Sequence, residues 1–473
     1  MRVLLIAPIK DNYWGIAQYP PVGLGYLATA LRKSGHSVEI LDCVKEKMSF
    51  TGLENFIKKN RFDIIGITVW SLSLKEVKRS LRIIKENSPG TVTVIGGPHP
   101  SALPEGSLKF FKDADFGFIA EAEIGFSRFV NLLSEGRDDF RDIPGLIWRN
   151  GKEIISNAPR WADNLDELEF PSWDLINPRD YFMPGALVSK NTAVLTCTRG
   201  CPYQCTFCSA WITAGRKIRQ RSIKHILSEI EYLSNNFGIK IFDIPDENFT
   251  FDKKYVLDFC QAVLPYKGKF EFFLPNGIRL DSLDKELLAT MRRAGFRREV
   301  AVGIESGSER MLRLMKKNLS LDMVKEKINL LNAAGFRPIG YFIVGFPEET
   351  KEDLKKTLRL ALELKLYAAA FTPFAPMPAT EATKYIIAKG ELPTDFDYTS
   401  ITTDRIAYAP QGLTKEELDA FRKYAVLRFN LRPRPLFYYL SNYNSLRFAL
   451  AKVLNLFVKG GQIGSGGCHA KRQ

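Results

Sequence analysis

Apolar residues recur along this chain in two alternating rhythms: short continuous runs, and longer stretches spaced by three or four. The runs at 3–7, 38–41, 64–69 and 92–95 have the length and β-branched content of buried strands. Between them, 22–33, a segment near 53–58, and 74–85 carry helical spacing. A fifth strand near 116–120 and a helix around 124–133 complete a parallel, doubly wound α/β sheet. Gly96-Gly97-Pro98 ends the fourth strand with a turn at which backbone can approach a ligand closely. Such a sheet holds its ligand over the carboxyl ends of the strands.

From about 142 to 190 the pattern breaks into turn signals, with a hairpin expected around Arg149-Asn150-Gly151. We read 1–140 as the doubly wound domain and 141–190 as a bridge. A second alternation begins at Ala193, with strands expected at 193–197, 240–244, 270–274, 300–304, 339–344 and 368–374. Six strand–helix units over 191–392 predict a partial (β/α)6 TIM-type barrel. After Leu392 the alternation stops, and 393–473 reads as a small, mostly helical, basic and aromatic end with a Gly-rich tail.

A chain of 473 residues exceeds one ordinary core, which agrees with two large domains. Its 45% hydrophobic and 25% charged residues are those of a folded protein. The first residues read as a strand-like segment without a signal-peptide h-region and cleavage site, so a cytoplasmic location is expected. The 67 basic residues outnumber the 53 acidic ones, for a formal charge of +14. The excess is uneven, since 421–473 holds ten Lys or Arg and no Asp or Glu. Such an end suits nucleic acid, anionic lipid or an acidic substrate, and equally a plain solvated surface. Ser441, Ser445, Lys452, Asn455 and Lys459 fall near one helical face, which fits a helix lying on a membrane or one covering the barrel's open side.

The seven cysteines are Cys43, Cys197, Cys201, Cys205, Cys208, Cys260 and Cys468. Four within twelve residues indicate metal binding in a reducing compartment, not a disulfide framework. Cys201, Cys205 and Cys208 fall in the loop after the first barrel strand, at the carboxyl end where barrels keep their chemistry. Three thiolates without a fourth leave one iron of a [4Fe–4S] cubane open to another ligand. A zinc site would want a second Cys or His pair, whereas His225 and Cys260 each stand alone. Cys197 reads as a buried strand residue, its other reading being a thiol beside the site.

CxxxCxxC with Phe207 before its last cysteine resembles the radical S-adenosylmethionine (SAM) superfamily. The resemblance implies that SAM chelates the open iron. It also implies that a one-electron donor such as flavodoxin or ferredoxin drives cleavage to methionine and a 5′-deoxyadenosyl radical. Expected SAM contacts are Phe207, Asp246 and Glu247 after the second barrel strand, Arg279 after the third and Glu305 at the end of the fourth. Gly340, Ile343 and Gly345 on the fifth would flank adenine.

The stretches PPVGLGYLATALRKSGHSVEILD and VIGGPHPSALPE are similar to the cobalamin-binding domain of cobalamin-dependent radical SAM enzymes, a likeness spanning roughly 1–392. It implies cobalamin near Gly96, Gly97 and Pro98, with loop 9–21 over one face and Trp70, Ser71 and Leu72 against the other. Two features depart from the family. Asp42-Cys43-Val44 has valine where histidine-bearing members carry DxHxxG, so no cobalt ligand is expected there. Ala120-Glu121-Ala122-Glu123 lacks the glycines common at that point. The implied activity is methyl transfer from SAM, by way of cobalt, to an unactivated carbon of a hydrophobic or lipid-like small molecule, with peripheral membrane contact. Ring-forming or ring-contracting relatives share these domains and stay open as an alternative. An RNA-modifying enzyme is a further one, but it would normally bring a second cysteine set, so nucleic acid is not an expected partner.

Overall fold

A computed structural model describes residues 1–10, 19–181, 191–401 and 405–440. The face of Ser441 to Lys459, Cys468 and most of loop 9–21 lie outside the described residues.

The first sheet has the order β2-β1-β3-β4-β5-β6-β7. Strands β1 (Arg2–Ala7), β2 (Ser37–Asp42), β3 (Ile64–Thr68), β4 (Val92–Gly96) and β5 (Phe116–Phe118) run parallel. Both faces of β1 are covered: Leu4 and Ile6 join one apolar cluster with Leu53 and Ile57, while Val3 and Leu5 join another with Leu24 and Leu31. Burial on two sides is why these strands read as continuous apolar runs. The order 2-1-3-4-5 reverses between β1 and β3, which makes their carboxyl ends the switch point where such sheets bind ligands. The hairpin expected at 149–151 forms as β6 (Leu146–Asn150) and β7 (Glu153–Ser156). It pairs antiparallel with β5 and so lengthens the first sheet.

The second unit holds six main parallel strands: β8 (Thr192–Val194), β11 (Ile241–Asp243), β12 (Glu271–Phe273), β13 (Glu299–Glu305), β14 (Arg337–Val344) and β15 (Ala368–Pro373). They form two three-stranded sheets, β12-β11-β8 and β13-β14-β15. Among the described residues, the backbone pairing between the sheets consists of the isolated bridges Phe272↔Phe296 and Ile278↔Val302. This is the expected six-strand partial barrel. A short ribbon, β9 (Thr198–Arg199) with β10 (Arg219–Gln220), brackets the cysteine loop. Helix ends are set locally: Ser222 caps Ile223–Phe237 by accepting the His225 N–H, and left-handed Gly238 closes it.

After the barrel, helix Lys415–Asn430 buries Leu418, Ala425 and Phe429 against the main core. Part of the basic character of this end is structural. Arg432 donates to the carbonyls of Ala361 (2.7 Å) and Leu364 (2.9 Å) at the end of helix Lys351–Glu363, and Arg434 donates to Lys365 O at 3.0 Å. Ala361 O is a carbonyl that the helix end leaves without an intrahelical partner, and the other two lie just beyond that end. Among the described residues, no helix is long and apolar enough to cross a membrane.

Candidate functional site

The cysteine loop is held from three sides. Gly200, which opens it, has φ +101°, and a Cβ there would lie 2.2 Å from Lys217 O, so only glycine fits. The Cys201 N–H donates to Gly215 O (3.1 Å) and that of Thr206 to Met315 O (3.1 Å), while Thr206 O accepts from Ala382 N (2.9 Å). All six described cysteines are free, and Cys201, Cys205 and Cys208 are the three that are partly exposed. Burial pushes the Cys201 and Cys208 thiols up, opposed by the N–H groups of Tyr203 and Ala210 respectively. Among the described residues, no three His, Cys, Asp or Glu side chains converge closely enough to hold a single metal ion. Cys197 is fully buried with its Sγ toward Leu195 O (3.9 Å), and burial drives its thiol far up, the state of an inert core cysteine.

The residues expected around SAM divide into two groups. Glu247 accepts the Gly200 N–H at 3.3 Å, so its carboxylate lies against the start of the cysteine loop. Glu305 ends β13 in the left-handed region (φ +67°) and pairs with Lys317 Nζ at 2.8 Å. Phe207 and Ile343 lean on the same apolar cluster at the barrel mouth, built from Met311, Met315, Phe346 and Phe374.

The others have structural duties. Asp246 accepts from Cys197 N (3.1 Å), Thr198 N (2.6 Å) and Thr198 Oγ1 (2.9 Å), so it ties the strand before the loop to β11. Its burial pushes the carboxyl up to about 7 despite those bonds. Gly340 faces the helix layer: a Cβ would sit 2.7 Å from Leu366 Cδ1 and 3.3 Å from Ile304 Cδ1. At Gly345, φ is +77° and a Cβ would meet Leu418 Cδ1 at 2.8 Å. Alternation along β14 instead directs Ile339, Tyr341 and Ile343 to the barrel interior. Tyr341, 40% exposed there beside Gly303 and Ala370, had no signal beyond strand parity.

On the first domain, Trp70 (52% exposed) and Leu72 (45%) stand at the carboxyl end of β3, beside the switch point. Ser71 Oγ is 3.0 Å from Nδ1 of buried His99, whose imidazole burial pushes down to about 4, so it is neutral. The pattern reading passed over His99. Gly97 (φ +102°) is required by the fold itself, since a Cβ would press on Val69 O at 3.2 Å; Pro98 begins the next helix. Gly96 leaves open surface, its nearest Cβ neighbour being Phe118 Cβ at 4.0 Å. Asp42 Oδ1 accepts the N–H groups of Val44 (3.0 Å) and Lys45 (3.1 Å), closing a turn with no histidine in it. Exposed aromatic and apolar side chains beside an open glycine fit a flat macrocycle.

The two domains are clamped beside the cysteines. Arg219 makes a forked pair with Glu121 (2.6 and 2.8 Å), and Arg199 contacts Glu123 (2.8 Å) and Glu121 (3.3 Å) and lies over the Tyr26 ring at 4.7 Å. Ala120, which precedes the clamp, has φ +56°, the conformation a glycine would adopt freely. Helix Pro98–Ala102 packs on helix Ala210–Ala214, immediately after Cys208. The carboxyl end of β4 and the cysteine loop are therefore neighbours.

Asp243 at the end of β11 offers a pH test. It is fully buried, neither carboxyl oxygen has a hydrogen-bond partner among the described residues, and burial pushes it up to about 7 against the pull of Arg297. A carboxyl raised on folding keeps a proton that the unfolded chain has released. Its contribution is full below the ordinary carboxyl range and is lost as pH rises to about 7. Asp243→Asn is expected to raise stability at pH 8 by roughly 1–2 kcal/mol and to flatten urea midpoints between about pH 4 and 7. An unchanged slope would show that Asp243 is solvated.

Comparison with known proteins agrees with this geometry. The radical SAM superfamily model matches residues 195–361, and the B12-binding domain model matches 17–130. The chain therefore carries a B12-binding domain ahead of a radical SAM domain, and it is an enzyme. An uncharacterized methyltransferase of Pyrococcus horikoshii is 29% identical over 92% of this chain and 94% of its own. The anaerobic magnesium-protoporphyrin IX monomethyl ester cyclase of Cereibacter sphaeroides is 28% identical over 88% of this chain and 68% of its own. In fold, the chain is similar to the radical SAM methyltransferase TsrM from Kitasatospora setae, solved with cobalamin and a [4Fe–4S] cluster (TM-score 0.73, 17% identity, 91% of this chain and 89% of that one).

Proposed function

We propose that this enzyme transfers a methyl group from SAM to an unactivated carbon of a small, largely apolar molecule. The observation that carries the reading is the packing of Pro98–Ala102 on Ala210–Ala214, which brings the carboxyl-end edge of the first sheet to the helix that follows the cysteine loop. When bound, the cluster and SAM supply a carbon-centred radical, and cobalamin supplies the methyl group. Cys201, Cys205 and Cys208 would hold the cluster, with Glu247, Glu305, Phe207 and Ile343 around SAM and Trp70, Ser71, Leu72 and Gly96 against the corrin. In the barrel interior Tyr341 stands beside Gly303 and Ala370, and the space over Gly303 is taken by the Glu305–Lys317 pair, so an apolar substrate would lie on the Tyr341 and Ala370 side. Tyr424 and Leu427 on helix Lys415–Asn430 and Leu431 just after it are exposed, which supports contact with a membrane surface during substrate uptake. The reductant is a flavodoxin- or ferredoxin-type donor. Ring formation is the second reading, favoured by the similarity to the cyclase.

Anaerobic reconstitution followed by iron and cobalt analysis tests the cofactors: iron without cobalt would defeat the cobalamin reading. SAM labelled in its methyl group, given with lipid and pigment extracts of a deletion strain, tests the reaction. Label in a product is expected, whereas 5′-deoxyadenosine with an unlabelled product would favour ring chemistry.

A further inference from the structure

We propose that Arg279 is a positioning residue for Cys205 and sets the reduction potential of the cluster. This rests on the reading of the three cysteines as cluster ligands. The guanidinium is nearly saturated by the protein. Its Nε donates to Asp281 Oδ1 (3.0 Å), and its Nη2 donates to Asp281 Oδ2 (2.9 Å) and Lys317 O (3.0 Å). Its Cζ lies over the Tyr203 ring, 3.5 Å from the centroid, and the Tyr203 hydroxyl donates to the same Asp281 (3.2 Å). The remaining terminal nitrogen, Nη1, points at Cys205 Sγ from 3.9 Å.

The three sulfurs therefore have unlike neighbours. Backbone N–H groups of Tyr203 and Ala210 serve Cys201 and Cys208, and a full cation serves Cys205. Because Tyr203 lies between Cys201 and Cys205, the stacked guanidinium also fixes the shape of the loop. Positive charge and N–H donors at a thiolate favour the reduced, more negative cluster. Asp281 offsets part of that charge, so the two residues pull the potential in opposite directions.

The experiment uses the full-length protein, reconstituted anaerobically, with iron counted per chain and the reduced cluster followed by electron paramagnetic resonance at one fixed poise. Arg279→Gln is expected to keep its iron and to lower the reduced-to-oxidised ratio about tenfold, equivalent to about 59 mV for one electron. Asp281→Asn is expected to raise the ratio about threefold. Added SAM is expected to perturb the Arg279→Gln spectrum as it does that of the unaltered protein. An unchanged ratio in either variant, shifts of the same sign, or loss of the SAM response in Arg279→Gln would overturn the proposal. If Arg279→Gln takes up no iron, the sign for Asp281→Asn decides alone. An unaltered protein without a reducible cluster would instead defeat the radical SAM reading itself.

Discussion

Glu121→Ala is expected to destabilise the protein by about 3–5 kcal/mol, the cost of leaving a buried charge without its partner. The Arg219 side chain is 3% exposed, and its forked pair with Glu121 accounts for its only anionic contacts among the described residues. Its other bonds go to carbonyls, Ala162 O at 3.0 Å and Ala214 O at 2.8 Å, which cannot neutralise a guanidinium. Arg199 would keep Glu123, so the damage should begin at β10 and at the end of helix Ala210–Ala214. Urea unfolding followed by tryptophan fluorescence measures the loss. The double change Glu121→Leu with Arg219→Met is expected to recover most of it, since an apolar pair of similar volume removes both charges. A cost for Glu121→Ala below about 1 kcal/mol would mean that the pair behaves like a solvated surface bridge.

Replacing any one of Cys201, Cys205 or Cys208 by alanine is expected to abolish SAM cleavage, with a loss of at least about three orders of magnitude. Three thiolates are the smallest set that leaves one iron open, and among the described cysteines the remaining thiols are buried. Cys197→Ala is the control. Its sulfur faces Leu195 O inside the core, so iron content and cleavage should stay at the level of the unaltered protein. Iron retained in Cys205→Ala, together with cleavage, would remove that cysteine from the ligand set.

The sequence exposed what is periodic and what is dense. The run at 339–344 had only to be buried on alternate residues to be recognised, and β14 extends it by two residues at its start. Four cysteines in twelve residues stood out for the same reason. Long-range pairing was not legible. Nothing local to Glu121 and Glu123 indicates that Arg219 and Arg199 lie across a domain boundary from them, and the pair looked only like missing glycines. Strand-end position pointed to Asp246, but it could not show that Thr198 and Cys197 already occupy the carboxylate. The glycines misled in the same way: Gly340 and Gly345 make room for Leu366 and Leu418, side chains distant in sequence. Arg432 and Arg434 read as surface charge because carbonyls 68, 69 and 71 residues away leave no trace in composition.

The barrel's division into two sheets changes what joins its halves. Among the described residues, two isolated bridges cross from the β12 side to the β13 side, while each three-stranded half is fully laddered. Ring packing takes over along that line, where Phe296 lies against Phe249, Phe259 and Phe272 within one shared core. The sheet that leads into the cysteine loop and the sheet that carries Glu305 and Tyr341 are therefore joined by aromatic side chains more than by backbone, and their relative placement depends on the fit of those rings.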